Sequence, residues 1–126
     1  MYSSSKSTFK VVIYKLGQGP AVAKGDMVTI HYLVALRLED LEQQTGLLDS
    51  SYRRNAPIRF EVGAGLVIKG VEDALVGIHE TSTIRILIPP ELAFGDRGEG
   101  PVPRSSELAV EVFVQEVTKR NYGREA

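Results

Sequence analysis

Two histidines supply all the imidazole in this chain, and neither stands where a catalytic or metal-binding set could be assembled from nearby residues. His31 falls inside an alternating, strand-like stretch and His79 beside a turn. A Ser/His/Asp relay or a paired-His metal site would therefore need distant partners that no motif supplies, so both are expected to be structural. There is no cysteine, which excludes a thiolate nucleophile, a disulfide framework and a cysteine-ligated metal. Gly63-Ala64-Gly65 lies between a strand-like and a helix-like stretch. The next glycine, Gly70, comes too late for a dinucleotide loop, and no parallel strand-helix-strand pattern surrounds it. A tight turn is expected there. The acidic trio Glu39, Asp40 and Glu42 lacks the spacing of a calcium loop and reads as a solvated face. No metal and no cofactor is expected, and Arg53-Arg54 is too small a basic cluster for nucleic acid.

Size and charge narrow the class further. A chain of 126 residues fits one domain with a real core. With 15 basic and 16 acidic side chains the formal charge is −1, and no run of one sign favours nucleic acid or an anionic membrane. No apolar stretch approaches the roughly 20 residues of a membrane span. Met1 to Thr8 is polar and serine-rich, without the hydrophobic segment of a secretory signal, and is expected to be a disordered leader. The domain is expected over residues 9–118, followed by a frayed tail over 119–126. The cytoplasm is the expected compartment, with an organelle lumen reached after removal of a transit peptide as the alternative.

The elements that would position any site are mostly strands. Phe9 to Leu16 is β-branched and aromatic and ends at Gly17-Gln18-Gly19-Pro20. From Met27 to Arg37, Val28, Ile30, Tyr32, Val34 and Leu36 fall on one face and Thr29, His31 and Arg37 on the other, which predicts a long, half-buried strand. Leu38 to Gly46 is polar, and periodicity does not separate a hairpin loop from a helical turn. Asp49-Ser50-Ser51 has turn chemistry. Pro57 to Val62 alternates as a strand, and Val67, Val71 and Leu75 recur every fourth position, predicting a helix over Val67 to Val76 with Gly77 ending it. Ser82 to Ile88 alternates until Pro89-Pro90, a loop runs to Ser106, and Leu108, Val110, Val112 and Val114 form a last apolar face. The expected class is α+β, an antiparallel sheet with one face covered by the helix.

Four blocks occur in a distinctive order: Ile30-His31-Tyr32, then Asp49-Ser50-Ser51 with Arg54 and Pro57, then Val67-Ile68-Lys69-Gly70, then Pro90-Glu91-Leu92-Ala93-Phe94-Gly95. Together they resemble the FKBP-type peptidyl-prolyl cis-trans isomerases, the macrolide-binding immunophilins, over Lys10 to Thr118. The resemblance implies a curved antiparallel sheet wrapped around the short helix, with an apolar cleft between them that accepts a proline ring. It implies catalytic roles for Tyr32, Asp49 and Phe94. Leu48, Arg54, Ile58, Phe60, Val67, Ile68, Val71 and Val110 would bind substrate or support the cleft. The implied partners are proline-containing peptides and folding proteins, met by a monomer.

The departures from the family pattern fall on the walls and floor, and the polar stretch Leu38 to Gly46 is also expanded, which would alter access. Leu48, Ile58, Val71 and Val110 match positions where the family commonly has large aromatics, a tryptophan at Val71 and a phenylalanine at Val110. Phe94 stands where tyrosine is frequent. A deeper, less aromatic cleft, weakened macrolide affinity and weakened activity are the implied consequences. Plain readings stay open beside the functional ones: Asp49 closing an Asx turn, Tyr32 as simple core, Arg54 as a surface cation. A non-catalytic module that binds a partner protein, or a general chaperone, is the alternative to an isomerase.

Overall fold

The structure is a computed structural model that describes residues 9–120. The leader expected over Met1–Thr8, and the tail beyond Arg120, lie outside the described residues. Strands β1 (Lys10–Lys15), β2 (Met27–Ala35), β3 (Asp49–Ser50), β4 (Ile58–Glu61), β5 (Thr83–Ile88) and β6 (Leu108–Thr118) form one antiparallel sheet. Its order is β1-β5-β6-β2-β3, with β4 also pairing with β2. The described residues build three short helices, α1 (Leu38–Gln43), α2 (Ser51–Arg54) and α3 (Lys69–Leu75), and a 3-10 turn over Pro90–Leu92.

The period-two pattern decides what lies inside. Val28, Ile30, Ile84, Ile86, Ile88, Val110, Val112 and Val114 are buried on the face that carries α3, against Val71, Ala74 and Leu75. The helix begins two residues later than the spacing predicted, because Ile68 is still extended (φ −60°, ψ 146°) and acts as its N-cap. Gly70 lets α3 lie this close: a Cβ there would sit 2.5 Å from the Cγ2 of Ile88.

The opposite face is not bare, as a single covered face would require. Leu33, Ala35, Leu41 and Ala109 form a second buried cluster beneath α1, so the ambiguous segment after β2 is helical. A six-residue helix is marginal alone, and burying Leu41 supplies about 1.5–3 kcal/mol to hold it. The strand expected to reach Arg37 ends at Ala35, since Leu36 is already exposed. Glu42, expected on a solvated face, reaches Arg85 at 3.3 Å, and Arg85 also bonds Glu111 at 2.9 Å and lies 4.0 Å over the Tyr14 ring. Burial opposes the Arg85 charge, but Glu111 chiefly, with Tyr14 and Glu42, holds its pKa above the ordinary value.

The closing end of the sheet is tied by one carboxylate. Asp26, only 1% exposed, accepts the Ala23 N–H at 2.8 Å, the Arg120 N–H at 2.9 Å and the Lys119 ammonium at 2.6 Å. Lys119 donates in addition to the Ala21 carbonyl at 2.7 Å. Lys119 and Arg120, expected to fray, are therefore anchored: the chain leaves β6 at Thr118, paired with Met27, and enters a clamp that no local pattern announces.

Candidate functional site

Tyr32, Asp49 and Arg54 come together because β2, β3 and α2 follow one another in a single tight excursion. Asp49 pairs with Val34 across the β2–β3 ladder, and the Leu48 N–H donates to the Val34 carbonyl at 2.7 Å. Ser50 is the N-cap of α2, accepting the Arg53 N–H at 3.1 Å. The segment expected to be a turn is thus the end of a strand and the cap of a helix, two uses of the same short hydroxyl side chains. One turn of α2 swings Arg54 back over β2, where its guanidinium bonds both Asp49 Oδ1 and the Tyr32 hydroxyl. Tyr32 in turn donates to Asp49 Oδ2 at 3.4 Å, which closes a three-membered ring of polar contacts. Asp49 also accepts the Ser50 N–H at 2.8 Å. Its bond to Asp49 first, and to Tyr32 second, holds the pKa of Arg54 above its ordinary value, so the ring keeps its cation.

One buried serine ties α2 to β2 beside the ring. Ser51, fully buried, accepts the Tyr32 N–H at 2.7 Å and lies 2.8 Å from His31 Nδ1. The His31 ring stacks on Tyr52 with centroids 4.2 Å apart. His79 bonds the Gly19 carbonyl at 2.8 Å, far along the chain from this cluster. Among the described residues no group of His, Asp or Glu side chains is placed to hold a metal ion, and no helix is long and apolar enough to cross a membrane.

Beneath the ring opens a cleft of about 210 Å³ between the sheet and the start of α3. Its floor is Ile30, Val71, Leu108, Val110 and Val112, and its walls include Ile58, Val67, Ile68 and Phe94. Val71 and Val110 are buried at 7% and 2% exposure, yet neighbouring side chains do not fill the space that their small size leaves. The Ile68 carbonyl starts α3 by accepting the Val71 and Glu72 N–H groups, while the Ile68 N–H has no acceptor among the described residues. Phe94 is carried to the rim by the 3-10 turn, whose Pro90 carbonyl accepts the Gly95 N–H at 2.8 Å.

Of the residues singled out in the sequence, Tyr32, Asp49, Phe94, Ile58, Val67, Ile68, Val71 and Val110 meet in this cleft. Three stand elsewhere. Phe60 shares its face of β4 with Ile58, but it lies two residues further along the strand, opposite Val28, where it is buried in the core and does not reach the cleft. Leu48 borders a neighbouring depression, because β3 starts one residue later. Arg54 supports the rim through Asp49 and Tyr32 without lining the cleft. Ile30, Val34, Leu108 and Val112 line it without having been singled out. They share the inward alternation with Tyr32 and Val110, and that was the signal available.

The sequence model of the FKBP-type peptidyl-prolyl cis-trans isomerases matches residues 19–115. The chain belongs to this family. Among similar proteins, FK506-binding protein 2 of Aspergillus oryzae is 41% identical over 88 residues, 70% of this chain and 62% of that protein. Peptidyl-prolyl cis-trans isomerase FPR2 of Saccharomyces cerevisiae is 40% identical over 94 residues, 74% of this chain and 66% of that protein. The chain therefore spans just under two thirds of the length of these relatives. The crystal structure of AtFKBP13 matches with a TM-score of 0.75 at 29% identity, covering 86% of this chain and 91% of that one. The crystal structure of FkpA from Escherichia coli matches with a TM-score of 0.74 at 27% identity, covering 91% of this chain and 53% of that one. The FKBP-type architecture agrees with the sheet-and-helix arrangement expected from the four blocks.

Proposed function

We propose that this FKBP-type domain is a peptidyl-prolyl cis-trans isomerase acting on X-Pro bonds in peptides and folding proteins. The observation that carries the reading is the juxtaposition of an open, apolar cleft with the Tyr32–Asp49–Arg54 ring at its rim. Rotation about a peptide bond meets a barrier of about 18–20 kcal/mol because resonance holds the amide planar and polar. Water stabilises that planar dipole. Taking the bond into an apolar cleft removes part of this stabilisation from the planar form, while the twisted form, with less charge separation, loses less. Each 1.36 kcal/mol of that difference is a factor of ten in rate. No nucleophile and no covalent step are needed.

In this mechanism the proline ring sits on Val71 and Val110, and the free Ile68 N–H donates to a substrate carbonyl. Tyr32 and Asp49 lie beside the twisting amide, and Arg54 holds both in place. Phe94 closes the rim. Two aliphatic residues at the floor give a ligand fewer contacts than aromatic walls would, so activity and macrolide affinity are both weakened. The cleft is complete within one chain, and a monomer suffices. The same aliphatic floor favours a second reading, a non-catalytic module that holds proline-containing partners. NMR exchange spectroscopy on Ala-Leu-Pro-Phe separates the two. Acceleration that scales with protein concentration supports the isomerase; rates equal to buffer at high protein concentration overturn it.

A further inference from the structure

A second depression, of about 330 Å³, opens beside the cleft and shares Val34, Asp49 and Phe94 with it. Its other lining residues are Leu48, Pro101, Val102 and Glu99, so two carboxylates border it, that of Asp49, which is paired with Arg54, and that of Glu99. Glu99 sits at the base of a hydrogen-bonded turn. It exchanges backbone hydrogen bonds with Val102 at 3.0 and 2.8 Å, closing a tight hairpin whose Gly100 takes a positive φ of 53°, and Val102 is buried in the core. Among the described residues the Glu99 side chain has no ion pair and no hydrogen bond. Of the other charges at this end, Asp49 and Arg54 neutralise each other, whereas Asp96, Arg97 and Arg104 lie on the same loop as Glu99 and do not line the depression.

Apolar walls under an unpaired anion suit a side chain with a long aliphatic stem and a cationic head, which buries the first and solvates or pairs the second. Resting on the isomerase reading above, we infer that Glu99 makes this site select prolyl substrates carrying lysine or arginine immediately before the proline. The position follows from continuity. Tyr32 and Asp49 flank the amide that precedes the ring, so the depression beyond Asp49 receives the side chain on that amide's amino-terminal side. A leucine there would use the same walls and gain nothing from Glu99, and a glutamate would be repelled.

The test compares Ala-Lys-Pro-Phe, Ala-Leu-Pro-Phe and Ala-Glu-Pro-Phe by NMR exchange with wild type, Glu99→Gln and Glu99→Lys. An exposed charge pair is worth little, so the expected preference for Lys over Glu is modest, about two- to fivefold. It should vanish in Glu99→Gln, invert in Glu99→Lys and fade in about 1 M salt, where the screening length is about 3 Å. A Lys-to-Glu ratio that is the same in all three proteins overturns the inference while leaving the isomerase reading intact, because the Leu-Pro rate reports that separately. If no peptide is isomerised faster than in buffer, the isomerase reading fails. The selectivity is then scored by titrating the same peptides into 15N-labelled protein. Tighter binding of the Lys-Pro peptide that depends on Glu99 supports it, and equal affinities overturn it.

Discussion

Asp26 and Asp49 are bonded in nearly the same way and sit in opposite kinds of place. Each faces one cation, Lys119 or Arg54, and each accepts backbone N–H donors, two at Asp26 (Ala23 and Arg120) and one at Asp49 (Ser50). Asp26 is 1% exposed at the closed end of the sheet, whereas the Asp49 side chain is 41% exposed at the mouth of the cleft. Burial makes the first a structural device, because the carboxylate is shut off from water and depends on the protein groups that bond it. Exposure makes the second cheap to alter and free to meet a ligand. The two ends teach that the same polar chemistry locks the sheet where water is excluded and remains available for function where water is admitted.

The largest effect that follows is on stability. Asp26→Ala leaves the Ala23 and Arg120 N–H groups without their acceptor and frees the end of β6, which should cost about 2–4 kcal/mol. Urea unfolding of the variant reads this directly, and a loss no larger than that of Asp49→Ala would erase the contrast between the two sites.

A pH series sharpens the same contrast. Burial by itself would raise the Asp26 pKa, but the Lys119 ammonium and the Arg120 and Ala23 N–H groups outweigh it and hold the value below the ordinary carboxylate range. A lowered folded-state pKa means that the unfolded chain takes up the proton first as pH falls. Asp26 therefore contributes its stability above about pH 4, the unfolded value, and loses it as pH drops through the lower folded value. Wild type should lose stability more steeply than Asp26→Asn on acidification below about pH 4. Parallel curves would mean that the clamp does not discriminate between protonation states.

How legible these two ends were follows from how local their signals are. Strand alternation is a nearest-neighbour pattern, so Ile30, Tyr32, Ile84, Ile86, Val110 and Val112 announced the inner face, and Val71 with Leu75 announced α3. The rim needed the resemblance, since Tyr32, Asp49 and Arg54 are separated in sequence and become a ring only through the β2–β3 ladder and the turn of α2. Asp49-Ser50-Ser51 was misread as a turn because Ser50 caps a helix with the same hydroxyl that would close one. Helix α1 stayed ambiguous because Leu41 alone carries its burial. Asp26 was invisible: its cation lies 93 residues away, and nothing around Gly25-Asp26 distinguishes a buried clamp from an exposed turn.

The smallest effect on folding should come from the rim, and it should be the one most visible in turnover. Asp49→Ala removes an exposed ion pair, and such pairs are worth about 0–1 kcal/mol, so the urea midpoint should hardly move. Its loss also releases Arg54 from the pair and Tyr32 from one acceptor, and a polar group beside the twisting amide disappears. The X-Pro rate should fall about tenfold, the equivalent of about 1.4 kcal/mol of transition-state stabilisation. Arg54→Lys isolates the geometric part of that loss. A lysine keeps the charge but offers no planar fork to bond Asp49 and Tyr32 at once, so an intermediate loss of about two- to threefold is expected if positioning matters. An unchanged rate in Arg54→Lys beside a tenfold loss in Asp49→Ala would assign the effect to the Asp49 carboxylate alone and reduce Arg54 to a counter-charge.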